Sequence, residues 1–285
     1  MAIKERYVNP FTDFGFKKLF GEENSKDFLI AFLGALLPEQ GTIVKISFLK
    51  NERLGASQAD RKAIFDLYCE NDEGQKFIVE LQKAKQEFFK DRSLYYATFP
   101  IQEQALVGDW NFKMNTVYTI SIMDFIFDNE NPDLFMRDVR LVDVNTQKVF
   151  NEKLRFIYLE MPKFRKKEKD LVTTLDKWLY VLNNLYLLDK IPAKIKEKIF
   201  AKFFDKAEIA KYSPTEREAY EESVKVARDF KNVVETGIKD GIEIGKKEGI
   251  LEGVKKTALL LKQQNVDILV IMKATGLSEK EIKKL

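Results

Sequence analysis

Apolar positions fall along this chain in two kinds of pattern. Over residues 43–160 they come mostly in short runs rich in β-branched and aromatic residues, which read as strands. Elsewhere they recur every three or four positions, the spacing of one helix face. The pattern predicts a helix from Asp13 to Phe20, capped by Thr12 and stopped by Gly21, and a second helix to about Leu37, closed by Pro38. Strands follow at 43–50, 63–69 and 76–82, with 51–61 polar and turn-like. A helix over 87–107, bent near Pro100, precedes strands at 117–125, 135–144 and 155–160. Beyond Met161, helical spacing holds over 170–188, 192–205 and 214–264. The order helix, strands, helix, strand gives an α/β class with a mixed sheet flanked by helices. Domain boundaries are expected near 165 and 232: a core over 1–165, a helical extension over 166–232, and a glycine-repeat helix with a helix-turn-helix-like tail over 233–285.

One pair of strands carries unusual polar content. Asn71-Asp72-Glu73-Gly74 reads as a hairpin turn, and alternation sends Phe65, Leu67, Cys69, Phe77, Val79 and Leu81 to one face. Asp66, Tyr68, Glu80 and Gln82 fall on the other. With Gly74 left-handed and Asn71 opposite Gln75, the register sets Asp66 across from Glu80, with Cβ atoms about 5 Å apart. Two like charges so close repel unless a cation lies between them, and hard ions such as Mg²⁺ prefer carboxylate oxygens. The alternative is an ordinary polar outer face.

Composition narrows the chemistry further. The 285 residues contain no histidine, which removes serine-histidine and cysteine-histidine nucleophiles, histidine bases and histidine-ligated zinc. Carboxylates and lysines must carry any reaction. The lone Cys69 cannot form an internal disulfide and reads as a small core residue, in keeping with a reducing cytoplasm. The apolar run 28–37 is too short to span a bilayer and reads as a buried helix, so no membrane partner is expected. A net charge of +3 does not by itself point to nucleic acid.

Gly237, Gly241, Gly245, Gly249 and Gly253 recur every fourth position in a charged helical context. Each costs a helix interior about 1 kcal/mol relative to alanine, and together they line one face that suits close approach of another helix. Self-association, internal packing and a frayed connector are all compatible with that stripe. In the tail, Ser278 opens a short helix after the Gly276 turn.

Four segments occur in order: Asp13-Phe14-Gly15-Phe16-Lys17-Lys18-Leu19-Phe20, then Asp66, then Glu80-Leu81-Gln82, then Phe88-Phe89-Lys90-Asp91-Arg92-Ser93-Leu94-Tyr95-Tyr96. Together they resemble the Rpn-type family of recombination-promoting nucleases and transposases, a branch of the PD-(D/E)XK nuclease superfamily. The resemblance spans roughly residues 5–200, and the glycine helix and the Thr275-Gly276-Leu277-Ser278 ending are similar to that family's tails. It implies a PD-(D/E)XK restriction-endonuclease-like core and a metal-dependent DNA endonuclease that promotes recombination. Asp66 stands where the superfamily has its first acid, Glu80 where it has the second, and Gln82 where most members have lysine. Glutamine brings no positive charge and takes no proton.

On that resemblance, Asp66, Glu80 and the Leu81 backbone carbonyl hold Mg²⁺, for which Mn²⁺ can substitute, Gln82 orients a water, and Asp13 is a further candidate ligand. No organic cofactor is implied. Alternation points Lys83 to the opposite face and leaves it out of the set. Candidate DNA contacts are Lys17, Arg92, Lys166 and Lys167 within the basic run 163–169, and Lys194, Lys198 and Lys202 along one helix. For Arg92 the alternative is packing over aromatic rings. The competing function is a DNA-binding or self-assembling protein that keeps the fold without turnover.

Overall fold

The computed structural model describes residues 5–53, 63–105, 108, 111–127 and 130–285. Most of the polar stretch 51–61 and the end of the helix expected at 87–107 lie outside the described residues. The chain divides into two compact units, Met1–Val224 and Lys225–Leu285. The stretch 166–224, expected as part of a separate extension, belongs to the first unit.

The strands are β1 (Ile46–Phe48), β2 (Glu52–Arg53), β3 (Ala63–Ile64), β4 (Leu67–Asn71), β5 (Lys76–Gln82), β6 (Val117–Met123), β7 (Met136–Val142) and β8 (Val149–Glu160). Six form one mixed sheet in the order β1-β4-β5-β6-β8-β7, parallel at β5/β6 and β6/β8 and antiparallel elsewhere. β2 and β3 pair separately. All seven residues of β6 are buried, as a central strand covered on both faces requires.

The helices of the first unit are α1 (Asp13–Phe20), α2 (Lys26–Leu36), α3 (Phe89–Gln102), α4 (Thr174–Asn184), α5 (Lys198–Ala207) and the start of α6 (Pro214–Gln263). Thr12 caps α1 by accepting from Gly15 N at 3.0 Å. Gly15 is obligatory, since a Cβ there would lie 2.1 Å from Asn9 O. Residues of α1, α2, α4 and α5 pack with Leu67, Cys69, Phe77, Val79, Tyr118 and Ile120 from one face of the sheet. At its centre the fully buried Trp178 meets Phe200 at 4.6 Å and Phe203 at 5.1 Å between ring centroids. A capping box between Thr173 and Asp176 begins the helix that carries it.

Among the described residues, the opposite face is covered by α3. α3 lays Phe89 and Ala97 against Val117, Met123, Phe156 and Tyr158, and Tyr96 and Phe99 against Phe65, Tyr68 and Ile78.

In the second unit, the remainder of α6 packs Val254, Ala258 and Leu261 against Ile271 of α7 (Ile268–Thr275) and Ile282 of α8 (Glu279–Lys284). Gly276 is left-handed at φ +72°, and Ser278 and Glu281 form the capping box of α8. The five glycines of the stripe have nothing within 4 Å of where a Cβ would stand, so they mediate no packing among the described residues. No helix of the described residues is long and apolar enough to cross a membrane.

Candidate active site

The hairpin between β4 and β5 has the register its turn predicts. Gly74 sits at φ +76°, Asn71 N donates to Gln75 O at 3.1 Å, and the pairs run from Glu70↔Lys76 to Leu67↔Val79. One further step along that register opposes Asp66 to Glu80. The expected strand 63–69 is nevertheless broken: Phe65 and Asp66 lie between β3 and β4, with Asp66 in a bend. The break interrupts alternation. Phe65, expected beside Leu67 and Cys69, instead packs under α3 with Tyr68 and Ile78.

The bend turns both ends of Asp66 toward β5. Its backbone N–H donates to Glu80 Oε1 at 3.1 Å, and its Oδ2 accepts from Leu81 N at 2.7 Å. The Glu80 carboxylate is thus held by the Asp66 amide, and the Asp66 carboxylate by the amide of Leu81, the residue after Glu80. Gln82 Nε2 donates to Glu80 Oε2 at 3.1 Å, and Gln82 Oε1 accepts from the Arg92 guanidinium. Arg92 lies over the rings of Phe89 and Tyr96, 5.5 and 5.6 Å from their centroids, and also donates to Gln86. The aromatic packing foreseen as its alternative is present, and it aims the guanidinium at Gln82.

This is no ordinary outer face, because α3 covers it and leaves Glu80 only 7% and Gln82 only 8% exposed. Burial raises the Glu80 carboxyl to about 8, with the Asp66 charge adding to the shift. Burial likewise raises Asp66, against the pull of the Leu81 N–H and the charge of Lys17. Two acids this close in a desolvated place retain a proton unless a cation replaces it.

Other candidates are distributed unevenly. Asp13 and Lys17 form an exposed ion pair at 2.8 Å, near enough for both charges to be felt at Asp66. Lys83 is felt there too, which alternation did not foresee: it follows the last residue of β5, and Asp66 stands in a bend rather than on one face. Lys83 is half-buried, its ammonium makes no hydrogen bond or ion pair among the described residues, and burial lowers its pKa against the charges of Asp13, Asp66 and Asp124. Its position directly after the acidic triplet was the available signal.

The remaining lysines stand on the side of the sheet that carries α4 and α5. Lys166 pairs with Asp176 at 2.8 Å, Lys167 heads a short 3₁₀ turn, and Lys194 donates to Lys169 O. Lys198 and Lys202 are exposed on α5. Lys163, counted in the basic run, is instead buried against Glu160 at 2.9 Å.

A divalent ion fits the donor set. The carboxylates of Asp66 and Glu80 and the Leu81 carbonyl are hard oxygens, and Asp66 Oδ1 accepts no hydrogen bond among the described residues. No group of three acidic, histidine or cysteine side chains forms among the described residues, so Asp13 does not complete one. Mg²⁺ is commonly held by one or two carboxylates with waters and substrate oxygens in the other positions.

A six-stranded mixed sheet of this order, flanked by helices, has the PD-(D/E)XK α/β form. The family described as PD-(D/E)XK nuclease family transposase matches residues 10–237, and the chain belongs to it. Nucleases of this superfamily typically use divalent metals. No curated protein and no solved structure matches the chain.

Proposed function

We propose that the protein is a Mg²⁺-dependent DNA endonuclease, active with Mn²⁺ as well, that hydrolyses phosphodiesters in the cytoplasm and promotes recombination. The observation that carries this reading is the Asp66–Glu80 pair, locked by reciprocal main-chain hydrogen bonds. Asp66, Glu80 and the Leu81 carbonyl would hold the ion. Bound there, it supplies Lewis-acid polarisation of a phosphate and a more acidic water.

The chain's own residues do the rest. Gln82 has its amide oxygen on Arg92 and an amide N–H on Glu80, so it positions that acid instead of orienting water. Arg92 is a positioning residue acting through Gln82. Lys83, without an ion-pair partner among the described residues, provides the cation for the scissile phosphate that the glutamine cannot. Asp13 and Lys17 border the approach, and the lysines on α5 are candidates for more distant backbone contacts.

The test is plasmid cleavage by the purified chain with Mg²⁺, Mn²⁺ or EDTA, beside Asp66→Ala and Glu80→Gln. Cutting in EDTA, or full activity in both variants, would rule out the assigned site.

A partner reading accompanies it. Ile238, Ile242 and Ile250 are more than half exposed beside the open glycine positions of α6, which suits pairing with a second copy. Sedimentation of Ile238→Lys/Ile242→Lys against the parent decides it, since an unchanged mass removes the role.

A further inference from the structure

The flank of α3 away from Gln82 borders an open groove of about 730 Å³. Lys85, Lys90, Phe127, Phe156 and Tyr158 are among the residues that line it, together with one carboxylate, Glu130. The Phe127 ring lies nearly parallel to Tyr158, at 18° with centroids 5.4 Å apart, and the Lys90 ammonium sits 5.0 Å from the Phe127 centroid. Lys85 and Lys90 are exposed, and neither has a carboxylate partner among the described residues. Leu94 presents an apolar wall, 52% exposed.

The groove is joined to Gln82 by the loop after β5 and to Arg92 by α3. Lys85 stands three residues beyond Gln82, and Lys90 stands two residues before Arg92, about 200° around α3 from it. A helix is about 10 Å across, so a strand crossing the start of α3 from the acids arrives here after a short span. Aromatic faces beside unpaired cations suit a base with its flanking phosphates, whereas a duplex keeps its base faces stacked and unavailable.

We propose that this groove receives an unpaired nucleotide of the strand being cut, its base lying over Phe127 where Lys90 now sits, with Lys85 and Lys90 on the adjacent phosphates. The displaced Lys90 ammonium exchanges a ring for a phosphate oxygen. Resting on the nuclease reading, the inference adds the substrate class: DNA with single-stranded character beside the scissile phosphate. Because every base has a π face, the groove imposes little sequence preference.

The test uses the full chain in EDTA with single-stranded, forked and blunt duplex oligonucleotides, carrying 2-aminopurine near the junction to report stacking. The wild type is expected to favour single-stranded or forked DNA by about tenfold. In Lys85→Glu/Lys90→Glu that preference is lost, and Lys85→Ala/Lys90→Ala lowers the slope of log affinity on log salt by roughly 0.7 per lysine. Phe127→Leu, checked by thermal melting, abolishes the 2-aminopurine signal and leaves the salt slope unchanged; should it fail to fold, the lysine variants decide.

Equal affinity for duplex and single strand, or variants that bind as the wild type does, overturns the groove. Metal-dependent cutting that is lost in Asp66→Ala but indifferent to the groove variants also overturns it and leaves the nuclease reading standing. Groove-dependent binding without cutting in any metal supports the groove and overturns the nuclease reading.

Discussion

The two faces of the central sheet are built for different ends. One meets α1, α2, α4, α5 and the start of α6 through a continuous aromatic and aliphatic core around Trp178, with Tyr118, Ile120 and Ile122 of β6 pointing into it. Among the described residues the other meets α3 alone, and there the same strand presents Thr119 and Ser121, buried, on the side where Glu80, Gln82 and Arg92 lie. Alternation along a strand lets one segment serve both, so cohesion is concentrated on one side and polar groups on the other. Buried acids are tolerable where the opposite face holds the sheet together.

Substitutions on the two faces should therefore fail differently. Trp178→Ala, which empties the centre of the thick face, is expected to cost about 3–5 kcal/mol in urea denaturation. Asp66→Ala is expected to lower cleavage at least about a thousandfold, several kcal/mol of transition-state stabilisation, while the protein melts within a few degrees of the parent. An unfolded Asp66→Ala beside a stable Trp178→Ala would break the comparison.

Just beyond β5, where its charge is felt at Asp66, Lys83→Ala should reduce the cleavage rate by about tenfold to a hundredfold, the worth of one charge-assisted contact to phosphate. Gln82→Lys should also lose activity, since an ammonium would face the Arg92 guanidinium in place of the amide oxygen. A gain of cutting in Gln82→Lys would show that Lys83 does not fill the role.

The raised Glu80 carboxyl gives a pH signature. A folded value of about 8 against an ordinary 4.5 favours the native state below pH 4.5, and this contribution is lost as pH rises toward 8 in EDTA-treated protein. Glu80→Gln should flatten that decline in melting temperature. An ion that displaces the proton should bind more tightly by up to about tenfold per pH unit across the same range, read by calorimetry. Binding that does not change with pH would contradict the shared-proton account.

The smallest effect lies at the edge of the thick face. Lys18 bridges Glu22 at 3.0 Å and Glu216 at 2.6 Å, and the Lys18 ammonium together with the Ser213 N–H holds Glu216 down to about 2. The pair is partly exposed, so Glu216→Gln should cost under about 1 kcal/mol at pH 7. That contribution is present above pH 4.5 and disappears as pH falls toward 2, so parent and variant should converge in acid.

Much of this was legible in the residues because local chemistry decided it. Thr12, Gly74 and Ser278 each fix a cap or turn through their own side chain or missing Cβ, and all three act as the sequence implies. The expected strand at 63–69 misled because a bend that reverses Phe65 leaves no mark in a run of strand-forming residues. Lys83 escapes the strand pattern for a related reason, since alternation ceases to guide once β5 ends at Gln82. The burial of Lys163 against Glu160 depends on the fold bringing β8 and the following turn together, and a basic run reads as solvated without it. Strand 155–160 proved part of the longer β8, because its outer half pairs with β7 by backbone bonds that hydrophobic pattern does not report.

The main-chain clasp between Asp66 and Glu80–Leu81 also closes the open end of the hairpin. An acid that swings out of place releases an amide of the partner segment, so losing the ion-binding arrangement and unzipping the strand pair are one event. Amide hydrogen exchange at Asp66 and Leu81 should consequently proceed at matching rates and slow together on adding a divalent ion, making the hairpin's breathing a direct readout of site occupancy.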